Sequence, residues 1–302
     1  MRAPFRGTRV EELRIGEIPT LRDPVLVLAF AGWNDAGQAA TGAARFLIDA
    51  WSATRFGDVD PEPFFNFTEQ RPTIHLAGGT MRELVWPANE LYYAQPRATR
   101  DFVLWLGVEP HLRWRRFADL VMELIARCGV TLAVSLGGLQ ADVPHSRPLR
   151  VTGSSTDELL QERLRTTAVT GSRYQGPTGI VGVLGDRFRR SGLPSASLWA
   201  NVPHYINAPA NPKATEALLE RLDILFDLGL DLHELHELGE RFNREVTEAV
   251  EADADAAAYV RQLEERLDAE QQAAERPSLP SGEALVRELE EFFRRRQEEE
   301  RE

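Results

Sequence analysis

The chain has 302 residues, with 47 acidic and 35 basic side chains, a net charge of −12, 43% apolar residues and one cysteine. Its net acidity excludes a general nucleic-acid binder, whose phosphate contacts need clustered lysine and arginine. The single Cys128 excludes an intramolecular disulfide and any multi-cysteine metal site, and the length allows one large domain with an appendage or two modest ones.

The N-terminal residues carry no apolar stretch with a small-residue cleavage site behind it, and the longest apolar run, Val25 to Phe30, is far short of the roughly 20 residues that span a bilayer. A cytoplasmic protein without membrane contact is expected. Residues 25–31 form a continuous apolar run of the kind that a strand buried on both faces requires. After the turn Gly32-Trp33-Asn34-Asp35, residues 36–51 set Ala40, Ala43, Ala44, Leu47 and Trp51 at spacings of three and four, which predicts a helix. Residues 52–101 read as irregular and β-rich, broken by five prolines into hairpins or long loops.

The strand, turn and helix unit then recurs. Phe102 to Leu106 predicts a strand, Arg116 to Cys128 a helix with Phe117, Leu120, Val121, Leu124 and Ile125 on one face, and Val130 to Leu136 another buried strand. Gly129 is placed to stop the helix. Asp157 to Leu164 and Thr178 to Arg190 predict further helices, and Ala196 to Ala200 a strand end. Buried strands alternating with helices predict an α/β fold, a three-layer α/β/α core.

Charge divides the chain. Residues 1–150 hold 17 basic and 17 acidic side chains, residues 151–212 hold 6 and 4, and residues 213–302 hold 12 and 26. The expected division is a core over 1–212 and an acidic helical extension over 213–302. In the extension, Leu232, Leu235, Leu238, Phe242, Val246, Ala249, Val260, Leu263 and Leu267 keep helical spacing without a proline, which predicts one long amphipathic helix. A Pro- and Ser-rich break at 276–282 precedes a last helix from Glu283 to about Arg296, capped by Ser281. The apolar stripe folds back on the core or meets a second copy.

Three segments could carry chemistry. The turn 31–37 lies between a buried strand and a helix N-terminus, where open α/β sheets place ligands. Gly32, Asn34 and Asp35 could there hold an anion, with Asp35 as a base; equally, Asn34 or Asp35 caps the helix. Residues 137–148 follow a second buried strand and bring Asp142, His145 and Arg147 together as an acid, a titrating base and an anion clamp. No G-x-S-x-G elbow marks a nucleophile, and a local ion pair holding a Pro-rich loop uses the same residues. Residues 174–180, with Thr178, form a glycine-rich helix entry that could cradle an oxyanion or simply pack closely. His204, before Tyr205, ends a strand. His75, His111, His233 and His236 lack metal-type partners at helical spacing, so no metal is assigned.

Five segments in order, A-F-A-G-W-N-D-A-G at 29–37, G-G-L-Q-A-D-V-P-H at 137–145, Y-Q-G-P-T-G-I at 174–180, S-L-W-A-N-V-P-H-Y at 197–205 and L-P-S-G-E-A-L at 279–285, together resemble the PAC2 family, the proteasome assembly chaperone 2 family, in its actinobacterial branch. The resemblance implies a phosphorylase/hydrolase-like α/β/α core with added C-terminal helices and no cofactor. It further implies self-assembly into a homo-oligomer, a dimer or trimer, and a non-enzymatic assembly or adaptor role around proteasome subunits. Relatives that dock on proteasome rings through a tail do so with a hydrophobic residue, a tyrosine and any residue. Glu300-Arg301-Glu302 departs from that pattern, and an acidic tail does not suit an apolar pocket. The alternative is a hydrolase or phosphorylase whose Asp35, Asp142, His145 and His204 gather at the carboxyl edge of the sheet, with Arg147 binding an anion.

Overall fold

Seven consecutive apolar residues form the strand at the centre of the molecule. The computed structural model describes residues 11–77, 81–172 and 174–275; the helix expected at 283–296 and its Ser281 cap lie outside them. In chain order the elements are β1 Leu13–Ile15, β2 Val25–Ala31, α1 Ala39–Ala50, β3 Thr54–Val59, β4 Thr73–Ala77, β5 Met81–Val85, β6 Asn89–Ala94, β7 Phe102–Val108 and α2 Trp114–Cys128. They continue with β8 Leu132–Ala141, β9 Val151–Ser155, α3 Glu158–Thr166, β10 Thr170–Gly171, α4 Ile180–Ser191, β11 Ser195–Pro203, α5 Pro212–Phe226, α6 His233–Glu251 and α7 Ala254–Glu275.

Nine strands build one mixed sheet in the order β1-β3-β6-β7-β2-β8-β11-β9-β10. Its centre, β7-β2-β8-β11, is parallel. Antiparallel β1, β3 and β6 extend one side, and β9 pairs antiparallel with β11 on the other. Alternation along β2 shows why helices must cover both faces: Val25, Val27 and Ala29 enter one apolar core, and Leu26, Leu28 and Phe30 the other. The first core is closed by α1, α3 and α5, the second by α2 and α4, which is the expected three-layer α/β/α arrangement. Strand β8 runs five residues beyond its expected end, because Gly137 to Ala141 stay in parallel register with Trp199 to Pro203 of β11. The β4–β5 ribbon stands apart from the large sheet.

Packing continues through the compositional boundary at Lys213. Helix α5 buries Ala214, Ala217, Leu218, Leu219, Leu222 and Leu225 in the same core as β2 and α1, and Leu228 to Leu235 pack partly against it. The single long helix expected through residues 232–267 is two helices. Asp253 breaks it: its carboxylate accepts the Asp255 and Ala256 amides and starts a new helix, an N-cap that neither glycine nor proline announces. Only part of the anticipated stripe is covered, since Val260, Leu263 and Leu267 are buried whereas Leu238 is 48% exposed.

Because α5 completes a core, Leu218→Ala is expected to lower stability by about 2–5 kcal/mol in urea unfolding. A chain ending at residue 211 should lose its cooperative transition altogether, measured by circular dichroism.

Candidate functional site

The turn after β2 is held by its own polar groups. Gly32 has φ +125°, and Gly37, at φ +59°, presents its carbonyl to the Asn211 amide at 2.7 Å. A Cβ on Gly37 would lie 2.9 Å from that of Asn211, so only glycine permits this approach. Asp35 is buried and works as a helix cap. Its Oδ1 accepts the Ala40 and Thr41 amides at 2.8 and 3.2 Å, and its Oδ2 accepts the Thr41 hydroxyl. Burial raises the Asp35 pKa, opposed by those hydrogen bonds and by the charge of Arg45. A carboxylate taking three donors inside the fold is a structural anchor rather than a base open to substrate.

Asn34 is also fully buried. Its carbonyl oxygen on the main chain accepts the Gly138 amide at 2.8 Å, which ties the turn to β8, and its Nδ2 donates to Glu109 Oε1 at 2.7 Å. The same Glu109 oxygen accepts the Ile180 amide at 2.7 Å. The N-terminus of α4, where the glycine-rich segment could have cradled an anion, thus holds the protein's own carboxylate. Gly179 makes the arrangement possible, since a Cβ there would meet Asn34 Oδ1 at 2.3 Å and Glu109 Oε1 at 2.5 Å. Thr178 is exposed and contributes no contact to this cluster beyond a long hydrogen bond to the Gly179 carbonyl. Glu109 was missed by sequence reasoning, although a charged residue directly after the apolar run 102–108 was the available signal.

At the end of β8 the loop 142–150 carries His145, whose ring state follows from its partners. Thr247 donates its hydroxyl to the Asn243 carbonyl, so it accepts from His145 Nε2 at 3.1 Å. The Tyr205 oxygen accepts the His145 amide at 2.8 Å and donates to Nδ1 at 2.7 Å. That is a neutral imidazole protonated on Nε2, in agreement with a pKa lowered by burial. Burial pushes the Tyr205 phenol up to about 12, which keeps its proton in place. Both ring nitrogens are committed, and His145 pins the loop to β11 and α6.

Arg147 is not free to clamp an anion. Its guanidinium forms a bidentate pair with Asp268 at 3.1 and 2.9 Å and reaches Glu264 at 3.4 Å. The expected local ion pair in the loop is replaced by pairs to α7, because α7 lies across it. Arg150 binds Glu270 at 3.0 Å, Ser146 binds Glu264, and Arg266 donates to the Asp142 carbonyl at 2.6 Å. Asp142 itself is exposed and faces His204 Nδ1 at 3.2 Å. The structure therefore brings Asp142, His145 and His204 around Tyr205. Among the described residues no hydrogen bond joins Asp35 to them.

The sequence profile of the PAC2 family matches residues 29–250, from the strand before the first turn to the end of α6. A PAC2 family protein from Streptomyces avermitilis is 42% identical, with 79% of this chain and 100% of that one covered at a TM-score of 0.72. The chain belongs to the PAC2 family. A proteasome-assembly chaperone homologue from Mycobacterium tuberculosis is 40% identical over 78% of this chain and 99% of its own, with a TM-score of 0.71. An archaeal proteasome activator from Pyrococcus furiosus, at 20% identity, shares the fold over 78% of this chain and 97% of its own, with a TM-score of 0.63. No curated protein matches the chain. In this PAC2 protein no helix of the described residues is long and apolar enough to cross a membrane, and no group of three or more metal-type side chains occurs among them.

Protonation of His145 is favoured in the unfolded chain, whose imidazole titrates near its ordinary value, while the folded value lies below it. Stability from this group is therefore full at neutral pH and lost as the pH falls through that window. Urea midpoints compared at about pH 7.5 and about pH 5.5 should differ less for His145→Gln than for the parent.

Proposed function

We propose that this PAC2 protein is a non-enzymatic adaptor or assembly factor of proteasome-assembly-chaperone type, acting in the cytoplasm through contacts with proteasome subunits and with copies of itself. One observation carries the reading: the 40% identity over 99% of the length of a relative described as a proteasome-assembly chaperone homologue. The geometry agrees. Asp35 caps α1, Glu109 fills the N-terminus of α4, His145 has both nitrogens engaged and Arg147 is neutralised by α7. A hydrolase would need these groups free to meet a common substrate.

The β4–β5 ribbon supports action through protein contacts. Ile74 and Leu84 are cross-strand partners, and both stand out with Leu76 at 60, 51 and 65% exposure. A two-stranded ribbon with an uncovered apolar face is marginal on its own in water, and such faces mark interaction surfaces.

Purified full-length protein mixed at low salt with the proteasome α and β subunits of its own source is expected to co-sediment with them or with an assembly intermediate. Ile74→Ser combined with Leu84→Ser should weaken that association by at least about tenfold while leaving the circular dichroism spectrum unchanged. Absence of any co-sedimentation by the parent protein removes the proteasome reading. Equal binding by the double variant removes the ribbon from it.

A further inference from the structure

The β4–β5 ribbon has an edge as well as a face. Strand β4 pairs with β5 and, among the described residues, with nothing else, so its outer N–H and C=O groups have no strand partner there. A strand in that position is a template for another strand unless something blunts it, and charged side chains are a common device. Strand β5 carries Arg82 and Glu83, whereas β4, Thr-Ile-His-Leu-Ala, holds no carboxylate, ammonium or guanidinium. Of the two outer edges, that of β4 is the one left open.

The sequence of β4 is complementary to itself. Laid antiparallel against a second β4, five residues meet five only when His75 stands opposite His75, and this register sets Ile74 opposite Leu76 twice. Side chains alternate along a strand, so Ile74 and Leu76 of both copies share one side of the joined sheet. Leu84 lies opposite Ile74 within each ribbon, and all three are exposed. The joined sheet thus gathers three apolar side chains from each copy on one face, with Arg82 on its outer strands. His75 stands on the other face, hydrogen bonded to Thr73 at 3.2 Å. Two strands are marginal in water, and four with an apolar face are not.

Charge selects the same place. Copies of a chain with a net charge of −12 repel one another, and the arm from Lys213 onward, with 12 basic and 26 acidic side chains, is least able to meet its own copy. Residues 69–86 hold Glu69, Arg71, Arg82 and Glu83 and are neutral in sum. We infer that β4 of one copy pairs antiparallel with β4 of a second about a twofold axis at His75, joining two ribbons into one four-stranded sheet. The inference rests on the self-contact part of the reading above and names its interface; the apolar face of the joined sheet stays open to a further partner.

The test follows the full-length protein alone, without proteasome subunits, by sedimentation velocity and by amide hydrogen exchange at residues 73–77 across a concentration series. A dimer is expected whose 73–77 amides gain protection as it forms. His75→Glu and His75→Lys each set like charges against one another at the axis and should each weaken self-association at least about tenfold. Mixed in equal amounts, the two variants should associate again, because opposite charges then face each other. A monomer at every concentration removes self-contact and this pairing with it. An oligomer whose 73–77 amides exchange as in the monomer, self-association of either variant at the parent's strength, or no recovery in the mixture overturns the pairing and leaves the proteasome reading standing. Protection of 73–77 in a particle that stays monomeric shows the edge covered by the chain itself and overturns it as well.

Discussion

Burial of four parallel strands on both faces dictates the architecture of this molecule. Each of β7, β2, β8 and β11 must send its chain over the sheet before the next parallel strand can form, so helices are obliged to cover both faces. All four strands also end at the same edge, and the turns that leave them are thrown together there whatever their sequences. Asp35, Glu109, Asp142 and His204 come from segments distant in the chain, and all belong to that edge.

An edge built this way exposes helix N-termini and unpaired turn amides, and here the chain supplies its own partners for them. Asp35 satisfies the start of α1 and Glu109 the start of α4. Both helices lack a conventional side-chain cap at the adjacent position, so the distant carboxylates replace it. The consequence is rigidity at the cost of vacancy: both helix starts, where open α/β sheets place anions, are filled by the chain's own carboxylates, and Glu109 also ties the turn after β2 to α4 through Asn34. Fold does not dictate activity.

The apolar runs 25–31 and 102–106 and the helical stripe of 116–128 were legible because burial on both faces, or on one stripe, leaves a period in the sequence that little else produces. Strand β9, Val-Thr-Gly-Ser-Ser, left no such mark, since it is short, polar and held by its neighbour β11. Helix α5 was obscured for a different reason: a charge count assigns Lys213 onward to the acidic segment, yet Leu218 and Leu222 belong to the core. At the site, residue types were readable and partners were not. His145 next to Arg147 looks like a base beside an anion clamp until α6 and α7 arrive, roughly a hundred residues later, with Thr247 and Asp268.

The docking of α7 shows how charge and apolar burial share the work. Burying Val260, Leu263 and Leu267 contributes about 1.5–3 kcal/mol each, whereas a half-exposed pair such as Arg150 with Glu270 is worth about 0–1 kcal/mol. Apolar contact therefore decides that α7 docks. The pairs to Arg147 and Arg150, spaced along the helix, fix where along its length it does so, because a shift of one turn would set Glu264, Asp268 and Glu270 against the wrong partners. The acidity of the helical arm is thus divided by direction. Its inward carboxylates are spent on the body, while Glu234, Glu245, Glu248, Glu251, Asp253 and Asp255 remain exposed on the outer side and at the elbow. Those outward charges, not the total of −12, are what an approaching partner meets, and they favour encounter with basic surfaces over acidic ones.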